Sequence, residues 1–107
     1  MSTTKSKEEL TRLAWLTALR HQGDRQCRAV PTARGGKVCA FALLAELMGM
    51  PTSEWSRVYH HVGLNPFRAL DVAAMNDGGQ SFGSNQTFRK HTFSEIADVV
   101  ESWFSKA

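Results

Sequence analysis

The sequence has no long apolar run. Its longest, from Val38 to Leu47, is interrupted at Glu46 and is too short to cross a bilayer, which excludes an ordinary membrane-spanning helix. The polar opening at residues 1–7 has no apolar segment behind it, so it does not read as a secretion signal, and the expectation is a cytoplasmic protein. Cysteine is scarce. Cys27 and Cys39 are the only two, far below the density of a disulfide scaffold, and they can pair only if a turn brings their Cα atoms within about 7 Å. A reduced pair is therefore expected. Strong charge is missing too: 13 Lys and Arg stand against 10 Asp and Glu, a net +3, small for a protein built to neutralise a row of phosphates.

What is present describes one globular domain over residues 1–107. A chain that is 42% hydrophobic and 21% charged has enough apolar surface to fold alone. Residues 1–5 are expected to form a disordered tail. Ser6 and Glu9 stand in capping-box spacing before a stripe of Leu10, Leu13, Ala14 and Ala18, widened by Leu16 and Leu19 and stopped near Gly23. Between Cys27 and Val38, two short runs flank Pro31 and Gly35-Gly36, which suits one short β-hairpin. Cys39 to Met48 is apolar on nearly every side, as expected of a helix at the centre of a core. Trp55, Val58, Tyr59 and Val62 follow at helical spacing, and Asn65-Pro66 opens a helix running to about Met75. Residues 80–91 show no helical or alternating period and read as a long polar loop carrying exposed Phe82 and Phe88. Thr92 and Glu95 form a second capping box, and Ile96, Val99, Val100, Trp103 and Phe104 repeat at i, i+3, i+4, i+7 and i+8. The fold class is thus mainly α, a compact bundle of about five helices, with the hairpin between the first and second.

Several short motifs recur in a fixed order: Leu16, Ala18 and Leu19; Gln26; Cys39 to Leu43; Gly63-Leu64; Met75-Asn76-Asp77 with Gly78; and Thr92-Phe93-Ser94-Glu95-Ile96-Ala97-Asp98. In this the chain resembles a group of small uncharacterised bacterial and phage proteins, whose pattern has a Cys-Cys-Leu-Gly-Val-Leu segment, an Asn-Asp-x-Gly turn and a Ser-Phe-x-Glu-Ile-Ala-Asp helix. Val38 replaces the first cysteine of that group's pair and Phe41 its glycine, so chemistry needing both cysteines is not expected here. The longer insert Gln80 to His91 is where a specificity of its own would lie.

Three chemistries can be weighed. Cys39 at a helix start could serve as a thiolate nucleophile, with His60, His61 or His91 as base and Asp77 or Asn76 as orienter, making a cysteine-dependent hydrolase. No protease signature surrounds it and cysteine is commonly buried, so a structural role is preferred and no catalytic residue is assigned. A zinc site from Cys27, Cys39, His60 and His61 lacks any Cys-x-x-Cys pair, and adjacent histidines diverge by about 100° on an α-helix; neither metal nor cofactor is expected. Direct nucleic-acid binding would use the basic stretch Arg20 to Lys37 with Arg89 and Lys90 on phosphates and Phe82 or Phe88 on bases, but no recognition helix or stacking sheet is apparent.

The preferred reading is a non-enzymatic protein-interaction module. Its partner contacts are expected at Arg25, Arg28, Arg34, Lys37, Phe82, Phe88, Arg89 and Lys90. The Asn76-Asp77 turn is a candidate ligand contact, although its first explanation is helix termination. With Glu95, Asp98 and Glu101 on the last helix, a basic and an acidic side are expected. The resemblance implies a phage or mobile-element accessory protein that inhibits a host or defence complex of the anti-CRISPR type, with a protein or nucleoprotein partner.

Overall fold

The computed structural model describes residues 6–28, 30 and 32–105; the tail expected at residues 1–5 lies outside them. Four α-helices and two small antiparallel strand pairs stand among the described residues, and none of the helices is long and apolar enough to cross a membrane.

Helix α1 spans Lys7–His21, and the Ser6 hydroxyl accepts the Glu9 N–H at 3.1 Å to cap it. Its inward face is not the one the leucine stripe suggested. Trp15, Leu16, Ala18 and Leu19 are buried, whereas Leu10, Leu13 and Ala14 face solvent. Trp15 decides the rotation, because it is the largest side chain available and has a polar atom that needs a partner. Its ring stacks on Phe41 with centroids 5.6 Å apart, and its indole N–H donates to the Ala40 carbonyl at 2.9 Å.

The expected hairpin follows, with β1 at Thr32–Ala33 paired to β2 at Lys37–Val38. Gly35 and Gly36 turn it with φ of 77° and 75°, a region other residues rarely enter. A parallel bridge from Gln26 to Val38 ties its base to the preceding chain. Helix α2, Ala40–Leu47, buries every residue from Ala40 to Ala45 and forms the centre of the core.

The segment from Trp55 to Val62 is a correction to the five-helix expectation. It forms a short 3₁₀ turn at Val58–Val62, preceded by another at Thr52–Glu54, rather than an α-helix. Pro51 bounds the segment on one side and Gly63, at φ 86°, ends it on the other. Val58 and Val62 still reach the core.

Helix α3, Pro66–Asp77, begins as its sequence indicates: Pro66 occupies the first turn and the Asn65 side chain accepts the Arg68 N–H at 2.8 Å. A second correction follows it. Within the stretch read as an unpatterned loop, β3 at Gly79–Gln80 pairs with β4 at Thr87–Phe88. Two-residue strands are too short to show a period in sequence, and the pairing is supported from outside by α3. Helix α4, Phe93–Phe104, closes the fold with both halves of the Thr92–Glu95 capping box formed, at 3.1 and 2.9 Å. It buries Phe93, Ile96, Ala97 and Val100 and packs along α1, with Val99, Trp103 and Phe104 partly covered at its edge.

Candidate interaction surface

The expected basic contact residues are largely committed to the protein's own structure. Arg25 grips the Glu46 carboxylate through both terminal nitrogens, at 2.7 and 2.9 Å, and its Nε donates to the Gly36 carbonyl at 2.9 Å. The pair holds Arg25 above, and Glu46 below, their ordinary pKa values. Arg28 donates to the Asn76 carbonyl. Lys37 donates to the Asp24 carbonyl at 3.3 Å. Arg89 pairs with Glu95 at 2.6 Å, while Arg20 bridges Asp98 and Glu101, each at 3.0 Å. The acids of α4 are thus neutralised locally, and the expected two-sided charge is much reduced. Arg34 and Lys90 are exposed, at the first hairpin's tip and just before α4.

Asn76 is buried and serves as the hub of a carboxamide network. Its Oδ1 accepts from the Ala40 N–H at 3.3 Å and from Gln26 Nε2 at 3.1 Å; its Nδ2 donates to the Cys27 carbonyl at 2.9 Å and to the Asp77 carboxylate at 2.8 Å. Gln26 also donates to the His91 carbonyl at 2.8 Å and accepts the Phe93 N–H at 3.1 Å. Four separate sequence motifs, around Gln26, Cys39, Asn76 and Phe93, therefore meet in one hydrogen-bonded cluster. Asp77 lies exposed beside it.

Cys39 is half-buried, and its sulfur accepts the Ala42 N–H at 3.4 Å as the α2 cap. Burial pushes its thiol above the usual value, as it does for Cys27, whose Sγ donates to the Val30 carbonyl at 3.2 Å. Both shifts run opposite to the thiolate stabilisation a nucleophile needs. His60 and His61, at the end of the Val58–Val62 turn, have ring centroids 4.0 Å apart. Burial first, and then His60, lowers the His61 pKa. Among the described residues, no group of three or more His, Cys, Asp or Glu is placed to hold a metal ion.

The two loop phenylalanines part company. Phe88 turns in and packs against the core, edge-on to His91 at 6.2 Å, so its expected exposure is corrected. Only residues 89–92 separate Phe88 from the buried Phe93 that opens α4, which keeps that side chain close to the core. Phe82 is 79% exposed. It is held there by a pinned turn: the buried Asp71 carboxylate accepts the Ser81 hydroxyl at 2.6 Å and the Ser84 hydroxyl at 2.8 Å. Ser81 N–H donates to the Gln86 carbonyl at 2.8 Å, and the Gly83 N–H donates to Ser81 Oγ at 3.0 Å. Gly83 rests on the first turn of α3 so closely that an added Cβ would overlap the Phe67 carbonyl.

That contact seats the turn carrying Phe82 on the start of α3, which bears two exposed residues the sequence pattern had not singled out, Phe67 at 64% and, one turn on, Leu70 at 43% exposure. The signal was there. α3 carries Phe67 and Leu70 one turn apart, in addition to the Ala69, Val72 and Met75 positions that fill its core face. Leu70 also forms the lip of a cavity of about 320 Å³ walled by Phe41, Trp55, Tyr59 and Ala73. A smaller one, of about 110 Å³, continues it past Phe41 towards Cys39 and Asn76. Comparisons with protein-family models, curated proteins and solved structures find no match to this chain.

Proposed function

We propose that this chain is a non-enzymatic protein-interaction module whose contact surface is centred on Phe82, Phe67 and Leu70. The observation that carries the reading is Phe82, an aromatic ring left almost wholly in solvent on a turn secured by a buried carboxylate. An unconstrained loop would fold such a ring inward or lose entropy on ordering it against a partner. A turn whose backbone is already fixed avoids part of that cost, and aromatic anchors dominate binding energy at protein interfaces. Ser84, Asn85 and Gln86 around it supply adaptable hydrogen-bonding groups, a composition suited to a polar rim. Arg34 and Lys90 can add charge at the periphery, whereas Arg25 and Arg89 serve chiefly as internal struts. The further step to a phage or mobile-element accessory protein inhibiting a host or defence complex rests on the motif resemblance.

The test is capture by the tagged chain from a lysate of the source organism, with and without nuclease treatment, compared with a Phe67→Ser/Phe82→Ala variant whose melting is unchanged. The expected result is a protein recovered by the native chain and reduced about tenfold or more by the variant, equivalent to roughly 1.4 kcal/mol. Equal recovery by both, or recovery that nuclease abolishes, would sink the reading.

A further inference from the structure

Outside the two hairpins, extended backbone pairs at the parallel bridge of Gln26 with Val38, and the residue after each partner is a cysteine. The Cys27 N–H donates to the Val38 carbonyl at 3.0 Å, which carries the pairing one residue past the bridge and sets Cys27 alongside Cys39. Cys39 keeps an extended backbone, at φ −79° and ψ 172°, before α2 begins. Parallel neighbours in register stand about 5 Å apart and send their side chains to one face, inside the Cα range of roughly 4.4–6.8 Å that a disulfide spans. The hairpin of β1 and β2 is thus the turn that the two cysteines require to meet. Their sulfurs share surroundings as well. Burial raises both thiols most; the Asp77 carboxylate raises both too, and Cys27 adds to the rise at Cys39. Access differs: Cys27 is buried, whereas Cys39 is half-buried and lines the cavity of about 110 Å³ beside Phe41.

We infer that Cys27 and Cys39 are a redox site, joined in the folded protein by a reversible intrachain disulfide that staples the base of the first hairpin to the start of α2. The co-reactant is a small-molecule disulfide of the glutathione class. The Cys39 thiolate, the more accessible, attacks one of its sulfurs, forming a mixed disulfide and releasing one glutathione; the Cys27 thiolate then attacks Cys39 Sγ and expels the second. The two protein thiols lose two electrons in all, and their two protons leave on the two glutathione thiols. Closure costs each sulfur one weak hydrogen bond, Cys27 Sγ its bond to the Val30 carbonyl and Cys39 Sγ that from the Ala42 N–H. In an unfolded chain the two thiols meet only when the intervening loop closes by chance, whereas in the folded chain the bridge supplies that ordering. The fold therefore favours the disulfide, and the disulfide the fold. The site is separate from Phe82 and stands or falls independently of the proposed function.

The experiment equilibrates the native chain in mildly alkaline glutathione buffers of graded oxidised-to-reduced ratio, quenches with acid, alkylates the remaining thiols and reads the products by mass; the same series is run in concentrated urea. Trypsin cuts after Arg28, Arg34 and Lys37, so the staple appears as the Cys27 peptide joined to the Cys39 peptide, two hydrogens lighter than their sum. The expected result is that joined pair in the native chain, with an equilibrium constant for its formation at least about tenfold larger than in urea, and a higher urea midpoint for the oxidised chain than for the reduced one. A glutathione adduct that persists on Cys39, disulfides between chains in place of the joined pair, or oxidation no more favourable in the native chain than in urea would overturn the assignment.

Discussion

The two hairpins have strands of the same length, two residues each, yet they attach to the body by opposite means. The first is cationic and is anchored from its base: Lys37 donates to Asp24, Arg25 reaches from the preceding turn to both Gly36 and Glu46, and the Gln26–Val38 bridge joins the backbone. The second has an uncharged turn and is anchored from beneath by Asp71, a carboxylate of α3. Around the first, cations are spent as struts. Above the second, nothing in the anchoring uses Phe82, which stays outward. Exposure in a sequence pattern is therefore different from availability: Arg25 and Phe82 both read as surface contacts, but only the ring lacks a structural task.

That contrast can be broken most forcefully at Asn76, which ties the base of the first hairpin to α3. Asn76→Ala strips partners from the Cys27 carbonyl, the Ala40 N–H and Gln26, and should lower unfolding free energy by about 3 kcal/mol in urea titrations. A loss below about 0.5 kcal/mol would show that the base is held elsewhere. Asp71→Ala should cost less, about 1.5 kcal/mol, because it frees two hydroxyls at a turn near solvent. Hydrogen exchange should then accelerate at residues 81–86 and stay unchanged at 32–38; faster exchange in both would mean that the hairpins are coupled.

The smallest effect concerns the exit of the second hairpin. The Arg89 guanidinium, with the Thr92 N–H, lowers Glu95 from its ordinary 4.5 to about 2. The folded-state value is depressed, so this stabilisation is fully present above pH 4.5 and is lost as the pH falls from there through about 2. Denaturant midpoints should decline across that window, and Glu95→Gln should flatten part of the decline. An identical pH profile in the variant would remove Glu95 from the account.

Local chemistry was legible where a residue acts on its own neighbours. The Thr92–Glu95 box, the Asn65 cap with Pro66, and the turn at Gly35-Gly36 depend on atoms a few residues apart, and each formed where its residues stand. The Trp55–Val62 segment misled because apolar residues three and four apart suit an α-helix and the tighter 3₁₀ turn that forms equally well. Asp71 gave no sign of its role. Its partners, Ser81 and Ser84, lie ten and thirteen residues away, and nothing in a helical pattern marks one acid as the post of a distant loop.

By itself the sequence determined a mainly helical chain, the caps and stops of most of its helices, and the apolar face of α4, because these follow from backbone hydrogen bonding and side-chain periodicity over a few turns. Tertiary structure alone decided which face of α1 turned inward, where each arginine found its carboxylate, and which phenylalanine remained in water. Those outcomes are competitions among distant residues for the same limited interior: Trp15 prevailed over Leu10, Phe88 over Phe82, and the surface that results is what the winners left outside.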